Sequence, residues 1–447
     1  MSGNFRYEAD GITFSGDTLK FASDKARKNF ISDTKEMLHA LNQKFSEEYG
    51  ILLWPNLDSY ISDLLIFGGS TEHIFDLSIS TEDFLLHKGT FGDLDIYIPN
   101  ANDRGFLLMT MLEKSRGVSL GKFKIIGNKS YPTKDLANSR AIITLLQYGA
   151  LNSKPTIQFD FMPQPIPVED EDEDTSSNLK AWVKLSHSSD WNDVKQSLKG
   201  VFHKYLLQSL IATRTAVKGT LITPKSPLPP QAIKAVKNAD DEMHMISFSV
   251  DKGLGKERLI QQMNTDAITG KKYPAMYQGN PIYKKASTED RRDAYSIKIT
   301  EIFETAFGFS PNADDLQKMK SFIGLLEIMR TKLYPTPAGK EFCGNVFLVF
   351  FNKLFGSEGQ DISIFSDAKD FKAKVAAMEA IKQNGFERLI NEVLPPEKIE
   401  KTISGYYEKF RERMTAKGTL TSKDSDLSPI ALEGKLRNLI REIILNA

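Results

Sequence analysis

Several features that would assign a protein to a specialised class are scarce in this sequence of 447 residues. It has one cysteine, Cys343, which excludes an intramolecular disulfide framework and any multi-cysteine zinc or iron–sulfur site. Lys plus Arg and Asp plus Glu both number 58, so no excess of one charge draws the whole chain to nucleic acid or to an anionic membrane. Any site for a polyanion must therefore be local.

Long apolar runs and targeting signals are missing as well. The richest apolar stretch, residues 344–355, contains Asn352 and Lys353 and is shorter than the roughly 20 residues that a membrane span needs. The first residues lack the basic and apolar segments of a secretory signal. We therefore expect a cytoplasmic protein without a membrane partner, in which Cys343 is a buried core thiol in a reducing compartment.

The composition, 40% hydrophobic and 26% charged, is that of a globular protein with two or three domains. We predict a first domain over residues 1–180. It would contain a short hairpin or extended arm in the first twenty residues, an amphipathic helix over 23–49, and strands near 64–67, 93–98, 123–126, 141–148 and 156–162. Three prolines and the acidic run from Glu169 to Asp174 predict a linker or surface loop over about 163–180.

Residues 181–447 are predicted to form a mainly helical domain, with a subdivision near residue 300. The periodicity predicts helices near 194–210, 315–333, 367–385, 396–415 and 430–446. Residues 220–300 favour no single type of element. The expected fold class is α+β, a mixed sheet with packed helices followed by a mainly α-helical domain.

Two predicted strands carry aspartates. In the first, Asp93 and Asp95 alternate with apolar residues, so both carboxylates project from one face, about 7 Å apart at the backbone. In the second, Asp160 lies on the polar face. If these strands are neighbours, three carboxylates converge and could bind one or two Mg²⁺ ions. Asp190 or the acidic run could instead supply the third ligand.

A glycine-containing turn precedes these strands. The apolar run 64–67 ends at Gly68, Gly69 and Ser70. Glycines allow the backbone to approach a phosphate closely, and the N–H groups of a following helix, with the Ser70 hydroxyl, could bind it.

Together, Phe67-Gly68-Gly69-Ser70, Gly92-Asp93-Leu94-Asp95-Ile96 and Gln158-Phe159-Asp160-Phe161 resemble the signature of the DNA polymerase β-like nucleotidyltransferase superfamily. The resemblance covers about residues 60–162. Members usually have a shorter segment between the turn and the first aspartate, and residues 71–92 are therefore expected to form a longer helix and a loop.

The resemblance implies a mixed-sheet palm domain and transfer of a nucleoside monophosphate from an NTP, with ATP as the expected donor. Two Mg²⁺ or Mn²⁺ ions would be bound by Asp93, Asp95 and Asp160. The first two aspartates would bind both ions, and Asp160 would bind the ion that activates the attacking hydroxyl. Gly68, Gly69 and Ser70 would hold the triphosphate.

Residues 195–237 contain eight Lys or Arg and no Asp or Glu. Helical spacing places Lys195, Lys199 and His203 in one solvent-side stripe, with Lys204 close by. We expect Lys199 and Lys204 to contact phosphate, although an ordinary lysine-rich exterior explains the pattern equally well. Similarly, the segment from Lys271 to Arg292 interleaves tyrosines with basic residues. It could bind single-stranded nucleic acid, or its tyrosines could pack on a core.

The acceptor of the nucleotide is open, because this catalytic core serves several reactions. The large second domain and the local basic stretch favour an RNA 3′ end. The alternatives are adenylylation of a protein or a small molecule, synthesis of a cyclic or oligonucleotide messenger, and an inactive nucleotide-binding scaffold.

Overall fold

A computed structural model describes residues 6–9, 12–99, 103–130, 142–164, 166, 173–187, 190–215, 221–222, 235–237, 243–249, 253–277, 280–285, 294–355 and 368–393. The chain divides into two compact units, residues 1–195 and 196–447. Each unit is described by itself.

The first unit combines helices and strands. Its strands are β1 (Arg6–Ala9), β2 (Ile12–Ser15), β3 (Phe67–Gly68), β4 (Asp93–Pro99), β5 (Ser119–Leu120), β6 (Phe123–Ser130), β7 (Ile142–Tyr148) and β8 (Thr156–Gln164). Its helices are α1 (Asp24–Tyr49), α2 (Leu57–Ser62), α3 (Gly69–Phe75), α4 (Thr81–His87), α5 (Arg104–Lys114), α6 (Glu173–His187) and α7 (Trp191–Lys195).

Six of these strands form a mixed sheet in the order β3-β4-β8-β7-β6-β5. The β4–β8 pair is parallel and the other pairs are antiparallel. Leu94, Ile96 and Ile98 of β4 are fully buried in the core, as are Ile157 and Phe159 of β8. Because side chains alternate along a strand, the polar residues of β4 and β8 project from the opposite face. The mixed α/β class is therefore confirmed for this unit.

Helix α1 follows the predicted helix closely. The Ser23 side chain accepts a hydrogen bond from the Ala26 N–H, and Gly50, at φ +70°, ends the helix in the left-handed conformation. Its buried face includes Phe30, Met37 and Leu41. Arg27 of α1 is also buried. Its guanidinium donates four hydrogen bonds, to the carbonyls of Ile74, Ile79, His73 and Asp76. This guanidinium fixes α3 and the following loop to α1.

The segment before the glycine turn differs from the prediction. Residues 63–66 form a turn with Leu64 at φ +55°, and only Phe67 and Gly68 pair as a strand. Residues 71–92 contain the rest of α3 and the separate helix α4 instead of one longer helix, because Ser80 starts a new helix by accepting a bond from the Asp83 N–H. The first residues form the antiparallel hairpin β1–β2, as one of the two alternatives predicted.

The predicted linker over residues 163–180 is not a linker throughout. Strand β8 continues to Gln164, and α6 begins at Glu173. The last acidic residues of the run, Glu173 and Asp174, lie in the first turn of α6, where negative charge favours the helix. The boundary near residue 180 stays a prediction.

The second unit contains more β-structure than the prediction of a mainly helical domain allows. Its strands are β9 (Leu221–Ile222), β10 (Ala235–Lys237), β11 (Met243–Ser249), β12 (Gly253–Gln261), β13 (Met263–Thr265), β14 (Lys272–Pro274), β15 (Met276–Tyr277), β16 (Asn280–Lys285) and β17 (Ala294–Ser296). Seven of them form one sheet in the order β10-β11-β12-β16-β15, with β17 on β12 and β9 on β16. Strands β13 and β14 form a separate hairpin.

Helices make up the rest of the described second unit. They are α8 (Gly200–Thr215), α9 (Ile299–Phe307), α10 (Ala313–Lys318), α11 (Phe322–Ile328), a π-helical turn (Met329–Leu333), α12 (Pro337–Phe355), α13 (Ala368–Gln383) and α14 (Glu387–Val393). The predicted helices at 396–415 and 430–446 lie outside the described residues. Cys343 is fully buried on α12, as predicted, and burial raises the pKa of its thiol to about 12. Among the described helices, none has the length and apolarity to cross a bilayer.

Candidate active site

The three predicted aspartates meet on the polar face of the first unit's sheet. In the parallel β4–β8 ladder, Asp95 lies directly opposite Asp160, and Asp93 lies opposite Gln158. All three carboxyl groups are half-buried, and each offers an oxygen that lies within 4.8 Å of the other two. The sheet therefore brings together three residues that are separated by up to 67 positions in sequence, and their oxygens could share a cation.

Burial changes the titration of the Asp160 carboxyl group. Burial raises its pKa from 3.8 to about 6, and the negative charge of Asp93 acts in the same direction. The amide of Gln158 opposes the shift, since its Nε2 donates to both Asp160 oxygens at 2.9 and 3.2 Å. Gln158 is itself buried. It therefore holds the Asp160 carboxylate in place on the strand.

The glycine turn is built directly against Asp95. Gly68 is the strand partner of Asp95, and Gly69 begins α3 with a left-handed backbone at φ +52°. A Cβ at Gly68 would lie 1.9 Å from the Tyr97 hydroxyl oxygen, and one at Gly69 would lie 2.9 Å from Asp95 Oδ2. Both positions therefore require glycine, because a larger residue would displace Tyr97 or the carboxylate.

Helix α3 is tied to β4 by a further contact. The backbone N–H of Asp95 donates to Thr71 Oγ1 at 2.8 Å. Ser70, half-buried in the first turn of α3, lies between Thr71 and the glycines. The structure therefore brings Gly68 and Gly69 next to Asp95, and Ser70 follows them in the first turn of α3.

An ion pair anchors the same helix from outside. Lys184 Nζ of α6 lies 2.6 Å from Glu72 Oε1 and donates to the Leu64 carbonyl at 2.9 Å. Lys184 thus connects the residues before the glycine turn with the helix after it.

The Tyr97 hydroxyl lies against the glycine turn. Burial raises its pKa well above the usual value, as do the charges of Asp95 and Glu72.

Four residues of the site were not predicted from the sequence: Gln158, Thr71, Tyr97 and Lys184. The alternation of side chains along the strands places Tyr97 on the same face as Asp95 and Gln158 on the same face as Asp160, and this pattern could have identified both residues. No such pattern identifies Thr71 or Lys184, because their contacts join segments that are distant in sequence. Asp190, considered as an alternative third ligand, accepts the backbone N–H of Asn192 just before α7.

The predicted phosphate-binding lysines belong to the second unit. Lys199 lies between α7 and α8, and Lys204 is half-buried on α8. Their contact with phosphate stays a prediction.

That prediction assumed a continuous basic stripe along one helix, and the assumption is wrong. Helix α7 ends at Lys195, and Ser197 adopts φ +60°, which breaks the helical spacing between Lys195 and Lys199. His203 is buried, with Nε2 2.8 Å from the Met319 carbonyl oxygen, and burial lowers its pKa to about 4. His203 is therefore a neutral core residue.

No family model, curated protein or solved structure gives a significant match to this chain. The residues of the site and their geometry are therefore the basis for assigning a function.

Proposed function

We propose that this chain is a metal-dependent nucleotidyltransferase, which transfers a nucleoside monophosphate from an NTP to an acceptor hydroxyl. The observation that supports the proposal is the cluster of Asp93, Asp95 and Asp160 on two parallel strands, beside a glycine turn that pairs with Asp95. A cluster of surface carboxylates is common by itself. The adjacent turn is a more specific feature, because Tyr97 and Asp95 leave room only for glycine at two of its positions.

The donor atoms of the cluster suit Mg²⁺ or Mn²⁺. These cations prefer carboxylate oxygens, and three such oxygens lie within 4.8 Å of one another. Asp93, Asp95 and Asp160 would hold the ions. When bound, two such ions acidify an attacking hydroxyl and neutralise the pyrophosphate that leaves.

The side chains of the site have distinct roles in this proposal. The acceptor oxygen forms a bond to the α-phosphorus of the NTP, while the bond from that phosphorus to the α–β bridging oxygen breaks and pyrophosphate departs. Asp160 accepts the proton of the acceptor hydroxyl, because its carboxylate would lie beside the ion that acidifies this hydroxyl. Gln158 orients that carboxylate. The backbone at Gly69 and the Ser70 hydroxyl bind the triphosphate on the Asp95 side.

For the acceptor we propose an RNA 3′ end, with ATP as the donor. The support is the segment 195–237, which contains eight basic and no acidic residues in a chain that is neutral overall. A local excess of positive charge favours a polyanionic acceptor over a neutral small molecule.

The test is incubation of the full chain with each α-labelled NTP, Mg²⁺ or Mn²⁺, and total RNA, followed by separation of RNA, protein and small products. We expect label in RNA with the wild type and none with Asp93→Ala/Asp95→Ala. The matched control is Asp58→Ala/Asp63→Ala, which removes two exposed carboxylates from the region of α2 in the same unit and should retain activity. Label in protein or in a small oligonucleotide would show that the acceptor is not an RNA 3′ end but a molecule of that class.

Absence of transfer into every product class would refute the enzymatic proposal. Thermal melts with Mg²⁺ and each NTP then distinguish an inactive nucleotide-binding scaffold, which would be stabilised by ligand, from a chain without a nucleotide site, which would not.

A further inference from the structure

A β-hairpin of the second unit exposes both of its faces. This hairpin, which we call the finger, consists of residues 262–275 and includes β13 and β14. All six residues of its two strands are exposed. At its base, Ala275 is buried and its N–H donates to the Gln262 carbonyl at 2.8 Å. At its tip, Ile268 is 95% exposed.

The turn of the finger is ordered by its own hydrogen bonds. Asp266 Oδ1 accepts from the N–H groups of Ile268 and Thr269 at 2.9 and 2.7 Å and from the Thr269 hydroxyl at 3.0 Å. The Asp266 N–H donates to the Lys271 carbonyl, and Gly270 adopts φ +67°. A two-stranded hairpin is marginally stable by itself. These bonds preserve its shape without packing against a core.

The chemistry of the second strand points to a ligand. Lys271, Lys272 and Tyr273 are consecutive and exposed, and Tyr273 is 49% exposed. The alternative that this tyrosine packs on a core is therefore wrong. Asp266 is the one acidic residue of the finger, and its carboxylate is engaged in the turn. The two lysines thus leave the finger with net positive charge next to an accessible aromatic ring.

The two faces of the finger present different groups. Tyr273 pairs with Asn264 on one face, and Lys272 pairs with Thr265 on the other, beside Met263 and Pro274. Lys272 projects from the face opposite to Tyr273, and Lys271 precedes both. An extended chain that stacks a base on Tyr273 therefore meets the lysines where it passes the edge of β14, which suits a chain in which bases alternate with phosphates. A purely apolar protein groove would leave both lysines without a counter-charge.

We propose that the finger binds single-stranded nucleic acid, with a base stacked on Tyr273 and phosphates near Lys271 and Lys272. This binding is independent of the carboxylate cluster and does not require the proposed transferase activity. The finger would therefore add a nucleic-acid contact in the second unit.

The test is fluorescence anisotropy of labelled oligoadenylate and oligouridylate with the full chain, in EDTA and without NTP. Tyr273→Ala is expected to weaken binding about tenfold, while Tyr273→Phe, which keeps the ring, should bind like the wild type. Lys271→Gln/Lys272→Gln should lower the slope of log Kd against log salt by about 1.4, since each phosphate contact on a single strand contributes about 0.7.

The matched control removes the same charge elsewhere. Lys124→Gln/Lys129→Gln changes two exposed lysines of β6 in the first unit and should leave binding and slope unchanged. Because the assay contains EDTA and no NTP, it measures binding without the conditions that the proposed transferase requires. Since Tyr273 and the four lysines are exposed, far-UV circular dichroism should show the wild-type fold in the variants that replace them.

Two results would overturn the proposal. One is that Tyr273→Ala and the lysine variant bind the oligonucleotides as tightly as the wild type, with the same salt dependence. The other is that these variants change the molar mass measured by light scattering but not oligonucleotide binding, which would assign the finger to protein association.

Discussion

Replacement of Asp160 by Asn should stabilise the first unit at high pH, because the ionised carboxylate is unfavourable where it lies. Burial and the charge of Asp93 raise its pKa from 3.8 to about 6. The pKa of Asp160 is higher in the folded than in the unfolded state. The ionised carboxylate therefore lowers the free energy of unfolding: this destabilisation is absent below about pH 4, grows between about pH 4 and 6, and is complete above about pH 6. Asn removes the charge, and its oxygen can still accept a bond from Gln158.

The size of the effect follows from the shift. A change of about two pKa units corresponds to about 3 kcal/mol at 1.36 kcal/mol per unit. The carboxyl group is half-buried, so solvent reduces this figure. We therefore expect Asp160→Asn to raise the free energy of unfolding by about 1–2 kcal/mol near pH 8 and to leave it nearly unchanged near pH 4.

Tryptophan fluorescence suits this measurement, because all three tryptophans, Trp54, Trp182 and Trp191, belong to the first unit. Urea unfolding of the wild type and Asp160→Asn at both pH values gives the two free energies. The control Asp63→Asn changes an exposed carboxylate. It should alter the free energy of unfolding by no more than about 0.5 kcal/mol at either pH.

The same titrations with added Mg²⁺ provide a second readout. Mg²⁺ should stabilise the wild type by mass action and stabilise Asp160→Asn less. An equal effect of the substitution at both pH values, or destabilisation at pH 8, would refute the argument that burial beside Asp93 disfavours this charge.

Three further substitutions test the supporting residues. Gly69→Ala and the control Gly117→Ala each place a Cβ at positive φ, and each should cost about 1 kcal/mol of stability. Only Gly69→Ala, whose Cβ would contact Asp95, should weaken Mn²⁺ binding measured by electron paramagnetic resonance, and equal affinities would contradict the proposed closeness. Gln158→Leu should weaken Mn²⁺ binding severalfold, because it removes the donor that orients the Asp160 carboxylate; unchanged affinity would exclude a positioning role. Lys184→Met should lower the free energy of unfolding of the first unit by about 1–3 kcal/mol, since a half-buried charge on α3 loses its partner, and a change below 0.5 kcal/mol by urea titration would show that the pair contributes little.

The sequence predicted the residues of the carboxylate cluster but not all of its surroundings. Alternation in β4 and β8 identifies which side chains share a face, since this depends on neighbouring positions alone. The parallel pairing that sets Asp95 opposite Asp160 depends on the intervening β5, β6 and β7, which occupy the other side of β8. No local pattern specifies that strand order.

Other differences arise where tertiary contacts outweigh local preference. The basic stripe assumed one uninterrupted helix, and the backbone at Ser197 ends that regularity. The sheet of residues 221–296 was not predicted as a unit, and four of its seven strands, β9, β10, β15 and β17, are only two or three residues long. Strands this short show too few alternations to distinguish them from loops.

The burial of Cys343 makes this chain well suited to site-specific labelling. A thiol that is fully enclosed on α12 and has a pKa of about 12 should resist maleimide reagents in the folded protein. A cysteine introduced as Ile268→Cys, at the exposed tip of the finger, would then be the reactive position. A single fluorophore placed there would report directly on what approaches the finger, without removal of the native residue.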